Sequence, residues 1–140
     1  EETDDFSFEG RRILMAEDNE TNAEIAVSIL EEVHGAHVEV AHNGREAVDM
    51  FSAHPAGYYD FILMDVQMPV MDGRTAARTI RALPRPDAKT ELIFALSADA
   101  FLEDERQSVE AGMNGHFSKP VNYDELRRCV GTFFKSREDG

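Results

Sequence analysis

Phe61-Ile62-Leu63-Met64-Asp65 carries four apolar residues directly into an acid, and Val66-Gln67-Met68-Pro69-Val70-Met71-Asp72-Gly73 follows as a turn-forming segment. The apolar run is short and lacks polar alternation, the pattern of a strand buried on both faces of a sheet. Asp65 then falls at the carboxyl end of that strand, on the rim where open α/β sheets bind ligands. The plain alternative is that Asp65 only caps the next turn. Asp72 can do that for the following helix, which releases Asp65 for chemistry.

The same grammar repeats on both sides. Arg11-Arg12-Ile13-Leu14-Met15-Ala16 reads as a first strand ending on Glu17-Asp18-Asn19, and Asp18 or Asn19 can cap a helix with Ala26, Ile29, Leu30 and Val33 on one face. Gly35 stops that helix. His37-Val38-Glu39-Val40-Ala41 alternates as a second strand, and Asn43-Gly44 turns into a helix with Ala47, Val48 and Phe51 inward. After the Asp65 strand, a helix opening at Asp72-Gly73 places Ala76, Ile80 and Leu83 together, and Pro84-Arg85-Pro86-Asp87 breaks it. Leu92-Ile93-Phe94-Ala95-Leu96 is a fourth buried strand ending on Ser97-Ala98-Asp99. Leu102, Arg106, Val109 and Met113 follow at helical steps, then His116-Phe117-Ser118-Lys119-Pro120 as a short fifth strand. Asn122 with Glu125 opens the last helix, whose stripe is Leu126, Cys129, Val130 and Phe133. Residues 1–10 read as an acidic tail or linker remnant with only Phe6 and Phe8 to bury, 11–135 as one domain and 136–140 as a polar tail. Five β-α units predict a parallel sheet covered by helices on both faces, and right-handed crossovers put every strand's carboxyl end on one rim.

Composition narrows the function. The 140 residues suffice for one domain with a real core. The 28 Asp plus Glu against 14 Lys plus Arg, a net charge of −14, repel phosphate backbones and argue against direct nucleic-acid binding. No apolar run has the roughly 18 residues of a membrane span, so no membrane contact by this domain is expected. Cys129 is the sole cysteine and is expected to be an inert core thiol. The five His have no zinc-ligand spacing. Without an initiator Met, both ends read as cut from something longer.

On the shared rim, Glu17, Asp18, Asp65, Ser97 and Lys119 converge. At about 5 Å and an effective dielectric near 20, each carboxylate pair repels by roughly 3 kcal/mol. Three pairs approach about 10 kcal/mol, a whole domain's stability. Such a cluster protonates or binds a cation, and all-oxygen ligands facing solvent suit Mg²⁺. A carboxylate can accept a phosphoryl group, a reaction that needs mainly positioning and charge neutralisation. Lys119 and the Ser97 hydroxyl would supply the neutralising contacts.

Glu17-Asp18-Asn19, Leu63 to Gly73, Ala95-Leu96-Ser97-Ala98 and Ser118-Lys119-Pro120 together resemble the response-regulator receiver domains of two-component signalling, over about residues 11–135. The run Met64-Asp65-Val66-Gln67-Met68-Pro69-Val70-Met71-Asp72-Gly73, with Glu110-Ala111-Gly112-Met113-Asn114 before the lysine, is most similar to receivers of hybrid sensor histidine kinases. The resemblance implies a flavodoxin-like (βα)5 fold with a five-stranded parallel sheet in order 2-1-3-4-5. It implies a phosphorelay in which Asp65 takes a phosphoryl group from a phosphohistidine, with slow hydrolysis afterwards: a switch more than a turnover enzyme. Mg²⁺ would be held by Asp18, Asp65, the Gln67 backbone carbonyl and, through water, Glu17. Lys119 and Ser97 would hold the phosphoryl group. Ser97 and His116 would switch the surface of the fourth helix, fifth strand and fifth helix, and the Lys119–Pro120 bond would be cis. Implied partners are a histidine kinase domain, a histidine phosphotransfer protein, or both. The implied location is cytoplasmic, on a parent chain that could itself be membrane-anchored.

Three positions depart from the commonest pattern. Glu17 replaces Asp, Ser97 replaces Thr, and His116 stands where Tyr or Phe is usual. A smaller ring that can charge near neutrality predicts weaker or pH-dependent coupling to the output surface. Three rivals share the fold or the chemistry. An aspartyl-phosphate hydrolase of haloacid dehalogenase type would need an acid where Gln67 stands. A flavin module would need a hydroxyl- and Gly-rich first loop in place of Glu17-Asp18-Asn19-Glu20. A pseudo-receiver would fold alike and only dock.

Overall fold

The computed structural model describes residues 6–98 and 102–139. Asp99, read from the sequence as an alternative cap flanking the site, lies outside the described residues, as do residues 1–5 of the acidic tail. Five parallel strands, β1 (Arg12–Ala16), β2 (His37–Ala41), β3 (Phe61–Asp65), β4 (Ile93–Ser97) and β5 (Gly115–Ser118), form one sheet in the order β2-β1-β3-β4-β5. The helices are α1 (Glu20–Ser28), α2 (Gly44–Ser52), α3 (Gly73–Arg81), α4 (Leu102–Glu110) and α5 (Tyr123–Asp139). This is the flavodoxin-like (βα)5 architecture expected from the sequence.

β3 and β4 are buried along their whole length, as unbroken apolar runs require. Alternation then splits the core in two. Leu14, Ile62 and Met64 face Val48, Phe51, Ala76 and Ile80 of α2 and α3. Ile13, Met15, Phe61 and Leu63 face Ala26 and Leu30 on one side and Leu126 and Val130 of α5 on the other. Asn19, Asn43 and Asp72 cap α1, α2 and α3 by accepting from Asn22, Glu46 and Thr75 backbone N–H groups. Asp72 thus does the capping, as the reading of Asp65 required.

Five details differ from the sequence reading. Residues 6–10 are not a loose tail: Phe8 is fully buried against Phe61, and Phe6 stacks on Phe134 of α5. Helix α5 extends beyond residue 135 to Asp139, so the polar tail is its last turn. Helix α1 continues into a π-helical turn, Ile29–Val33, and the wider turn rotates Val33 into solvent instead of the core. Among the described side chains of α4 the inward residue is Ser108, with Val109 61% exposed, so the buried face there is one residue out of step with the Arg106–Val109 stripe. Cys129 is half-buried and not a full core residue; burial pushes its thiol upward, with the Glu125 charge adding, which suits an unreactive group.

The opposite end of the sheet from Asp65 holds a buried acid. Glu91 precedes β4, is 6% exposed, and its Oε2 has no hydrogen-bond partner among the described residues. Burial pushes its carboxyl up to about 8; Asp87 and Asp60 push the same way, and Arg137 and Arg81 oppose them.

Candidate active site

Strand register builds the site before any side chain is considered. Ala16 pairs with Met64, so Glu17, one residue on, lies level with Asp65. Asp65 pairs with Leu96, and Ser97 pairs with Ser118, which brings Ser97 and Lys119 to the same rim. The Lys119 backbone N–H donates to the Ser97 carbonyl at 2.7 Å, and the Lys119–Pro120 peptide is cis.

The lysine reaches both acids. Lys119 Nζ donates to Asp65 Oδ2 at 2.6 Å and to Glu17 Oε1 at 2.9 Å. Glu17 is 2% exposed and Asp65 5% exposed, so these charge-assisted bonds lie largely out of water. Backbone donors take the remaining carboxylate oxygens: Asn19 N–H reaches Glu17 Oε2 at 3.2 Å, and Gln67 N–H reaches Asp65 Oδ1 at 3.0 Å. Burial pushes the Glu17 carboxyl upward; its bonds to Lys119 and Asn19 offset only part of that. Burial alone would lower the Lys119 ammonium, yet its bonds to Asp65 and Glu17 prevail and hold it above its usual value.

Glu17, Asp18 and Asp65 each offer a carboxylate oxygen within 4.8 Å of the others. Asp18 is exposed and Glu17 and Asp65 are buried, so the cluster opens to solvent on one side. Three hard oxygen donors with one open side fit a small divalent cation that keeps some of its waters. Ser97 is buried at the end of β4 and Ala98 beside it is exposed. His116 is half-buried on β5, and its Nδ1 lies 3.2 Å from Ser108 Oγ of α4.

The loop between Asp65 and α3 is held by two close backbone approaches. A Cβ on Gly73 would lie 2.1 Å from the Asp65 carbonyl oxygen, and one on Gly44 would lie 2.3 Å from that of Met71. Gly73 N–H donates to Val66 at 3.1 Å and Gly44 N–H to Met71 at 2.9 Å. The loop passes through Val70 at φ 68°, a left-handed conformation rare for a β-branched residue.

The family model for the response regulator receiver domain matches residues 13–131. The chain belongs to the response regulator receiver domain family. Its relatives include the aerobic respiration control sensor protein ArcB of Escherichia coli, 34% identical over 137 residues that are 97% of this chain and 17% of ArcB. This receiver domain therefore spans only a small part of the curated relatives it matches, among them hybrid histidine kinases. Among solved structures, it resembles the receiver domain of the sensor histidine kinase PA1611 from Pseudomonas aeruginosa, with a magnesium ion coordinated in the active site cleft (36% identity, TM-score 0.75, 86% of this chain and 94% of that one). It also resembles a chain of the Saccharomyces cerevisiae complex between the histidine phosphotransfer protein Ypd1 and the receiver domain of its downstream response regulator Ssk1 (32% identity, TM-score 0.73, 85% of each chain).

All the rim residues anticipated from the sequence lie at the sheet's carboxyl edge. Missing from that reading are Ser108 and Arg74. Neither stands at a strand end, and no spacing signal marks a serine on a charged helix as buried.

Proposed function

We propose that this receiver domain is the phosphoacceptor of a His-Asp phosphorelay, with Asp65 the accepting group. The observation that carries the reading is the contact of Lys119 Nζ with both Asp65 and Glu17, which unites the ends of β1, β3 and the β5–α5 connection around one carboxylate. An Asp65 oxygen attacks phosphorus, the P–N bond of the phosphohistidine breaks, and its electron pair returns to the imidazole, leaving an acyl phosphate on Asp65. Glu17, Asp18, Asp65 and the Gln67 carbonyl would hold Mg²⁺, which supplies charge neutralisation for the phosphoryl oxygens. Lys119 moves from pairing two carboxylates to pairing a phosphoryl oxygen, and the Ser97 hydroxyl donates to another. The PA1611 receiver and its magnesium ion support the metal assignment. The similarity to hybrid histidine kinases supports a parent of that class.

A small P–N donor such as phosphoramidate, with Mg²⁺, tests the chemistry. One hydroxylamine-sensitive phosphoryl group is expected on the chain and none on Asp65→Asn, read by intact mass. An unmodified wild-type chain would favour the docking-only pseudo-receiver.

The partner assignment, a histidine phosphotransfer protein or kinase domain, rests on the Ypd1–Ssk1 complex and on a groove of about 500 Å³ beside the site. The apolar wall of the groove includes Met15, Ile25, Ile29, Leu96 and Val121, and Glu17 and Lys119 lie at its polar end. Ile25 is exposed, and an apolar helix laid there would bring a histidine toward Asp65. Ile25→Glu is expected to weaken binding of such a partner by about tenfold or more, as loss of an interface anchor does. Modification by phosphoramidate should be unchanged. Equal partner affinity, measured by calorimetry, would remove this face from the interface.

A further inference from the structure

Helix α4 is attached to the domain in an unusual way. Among its described side chains the one buried residue is polar: Ser108, 0% exposed. A helix whose described buried side chain is polar is the kind of element that opens at low cost. Among the described residues, hydrogen bonds tie it to α3 and β5. Arg74 Nη2 donates to the Asp104 carbonyl at 3.0 Å, with the Asp104 carboxylate 3.7 Å away, and Arg74 Nε donates to Ser108 Oγ at 3.4 Å. Ser108 Oγ lies 3.2 Å from His116 Nδ1.

Donor counting fixes one end of this chain. A guanidinium only donates, so Ser108 Oγ accepts from Arg74, and its own O–H completes a one-way relay when it is given to His116 Nδ1. In that arrangement the neutral His116 ring carries its proton on Nε2. The other end of the chain is Arg74, the residue after Gly73, whose N–H holds the loop that carries Asp65 and Gln67. One polar relay thus joins the acceptor loop, α3, α4 and the β5 histidine.

We propose that Arg74 and Ser108 are positioning residues of the switch: they hold His116 and α4 in the unphosphorylated arrangement, and leaving that arrangement breaks the Ser108–His116 bond. The proposal deepens the phosphoacceptor reading and rests on it for its second half. Ser108→Ala removes one oxygen from a buried site and both bonds with it. Loss of a net hydrogen bond corresponds to about a fivefold to tenfold shift in a local equilibrium.

The test begins with the free protein. Histidine ¹⁵N NMR should show His116 as the Nε2–H tautomer with Nδ1 accepting, and Ser108→Ala should shift the Nδ1 resonance. Amides of α4 should exchange about fivefold to tenfold faster in Ser108→Ala, while those of β1 and β3 keep their rates. Arg74→Met should act in the same direction, and the double variant should exceed Ser108→Ala by little, since both sit in one relay. An Nδ1–H tautomer, unchanged α4 exchange, or acceleration spread evenly over the sheet overturns the relay. Titration with beryllofluoride and Mg²⁺ then reads the switch. Ser108→Ala should bind about fivefold more tightly than the wild type, because the holding bond no longer opposes the change. Equal affinity overturns the switching role. A wild type that binds no beryllofluoride instead strikes the phosphoacceptor reading, and the switching role falls with it, while the exchange data still decide whether the relay holds α4.

Discussion

Lys119→Met is expected to cut the rate of phosphoryl acceptance by about two to three orders of magnitude, the usual cost of losing one group that neutralises developing charge in a water-poor site. The same change should destabilise the metal-free protein. Lys119 is the shared partner of two buried carboxylates, and removing one member of a buried ion pair costs about 3–5 kcal/mol. The lysine side chain is about a quarter exposed, at 26%, so roughly 2–3 kcal/mol is the better expectation once solvent screening is allowed for. Mg²⁺ should restore most of that loss, because it binds the folded state and takes over the neutralising role. Its affinity should exceed that for the wild type, since no ammonium competes for the carboxylates. Urea melts with and without Mg²⁺ measure both effects. A variant as stable as the wild type in metal-free buffer would show that Lys119 does not offset the crowding of Glu17 and Asp65.

The second large effect lies at the other end of the sheet. In the folded chain burial pushes the Glu91 carboxyl up to about 8, against an ordinary carboxylate value of 4.5 when unfolded. Between these values the folded state binds the extra proton. The stability this provides is therefore complete below about pH 4.5 and is lost as pH rises through about 8. At about 1.4 kcal/mol per pKa unit, the loss amounts to roughly 3–5 kcal/mol. Glu91→Gln keeps the shape without the charge. The variant should be close to the wild type at pH 4.5 and more stable by a few kcal/mol above pH 8. Chemical unfolding across that range measures the difference, and a gap that does not change with pH would contradict the assignment. Glu91 precedes β4, at the edge of the sheet opposite Asp65, so phosphoryl acceptance by Glu91→Gln should match the wild type.

The strands and the rim were legible because each leaves a local mark. Phe61 to Met64 and Ile93 to Leu96 are unbroken apolar runs that only a doubly covered strand accommodates. Glu17, Asp65, Ser97 and Lys119 all stand at or just past strand ends, so topology alone gathers them. Features set by tertiary packing were not legible. The π-helical turn that rotates Val33 outward breaks the period on which the helix reading depended. Phe6 and Phe8 sit among acids, and only the rings they meet far along the chain, Phe134 for Phe6 and Phe61 for Phe8, show why they are held. Ser108 reads as a surface residue until Arg74 and His116 are seen to satisfy it. Glu91 carries no periodicity of its own, and nothing local in the sequence marks the residue before β4 as buried.

Val70 illustrates how the acceptor loop keeps its form. A branched side chain at φ 68° that is 82% exposed gains no packing in return for its backbone conformation. The loop is therefore bent by its anchors at Gly44 and Gly73, against the preference of its own residues. Slackening of either anchor would let the valine unwind toward an ordinary geometry and carry the Gln67 carbonyl away with it. The carbonyl proposed to coordinate the metal is thus tensioned from its flanks, and its placement is a property of two glycines outside the proposed site.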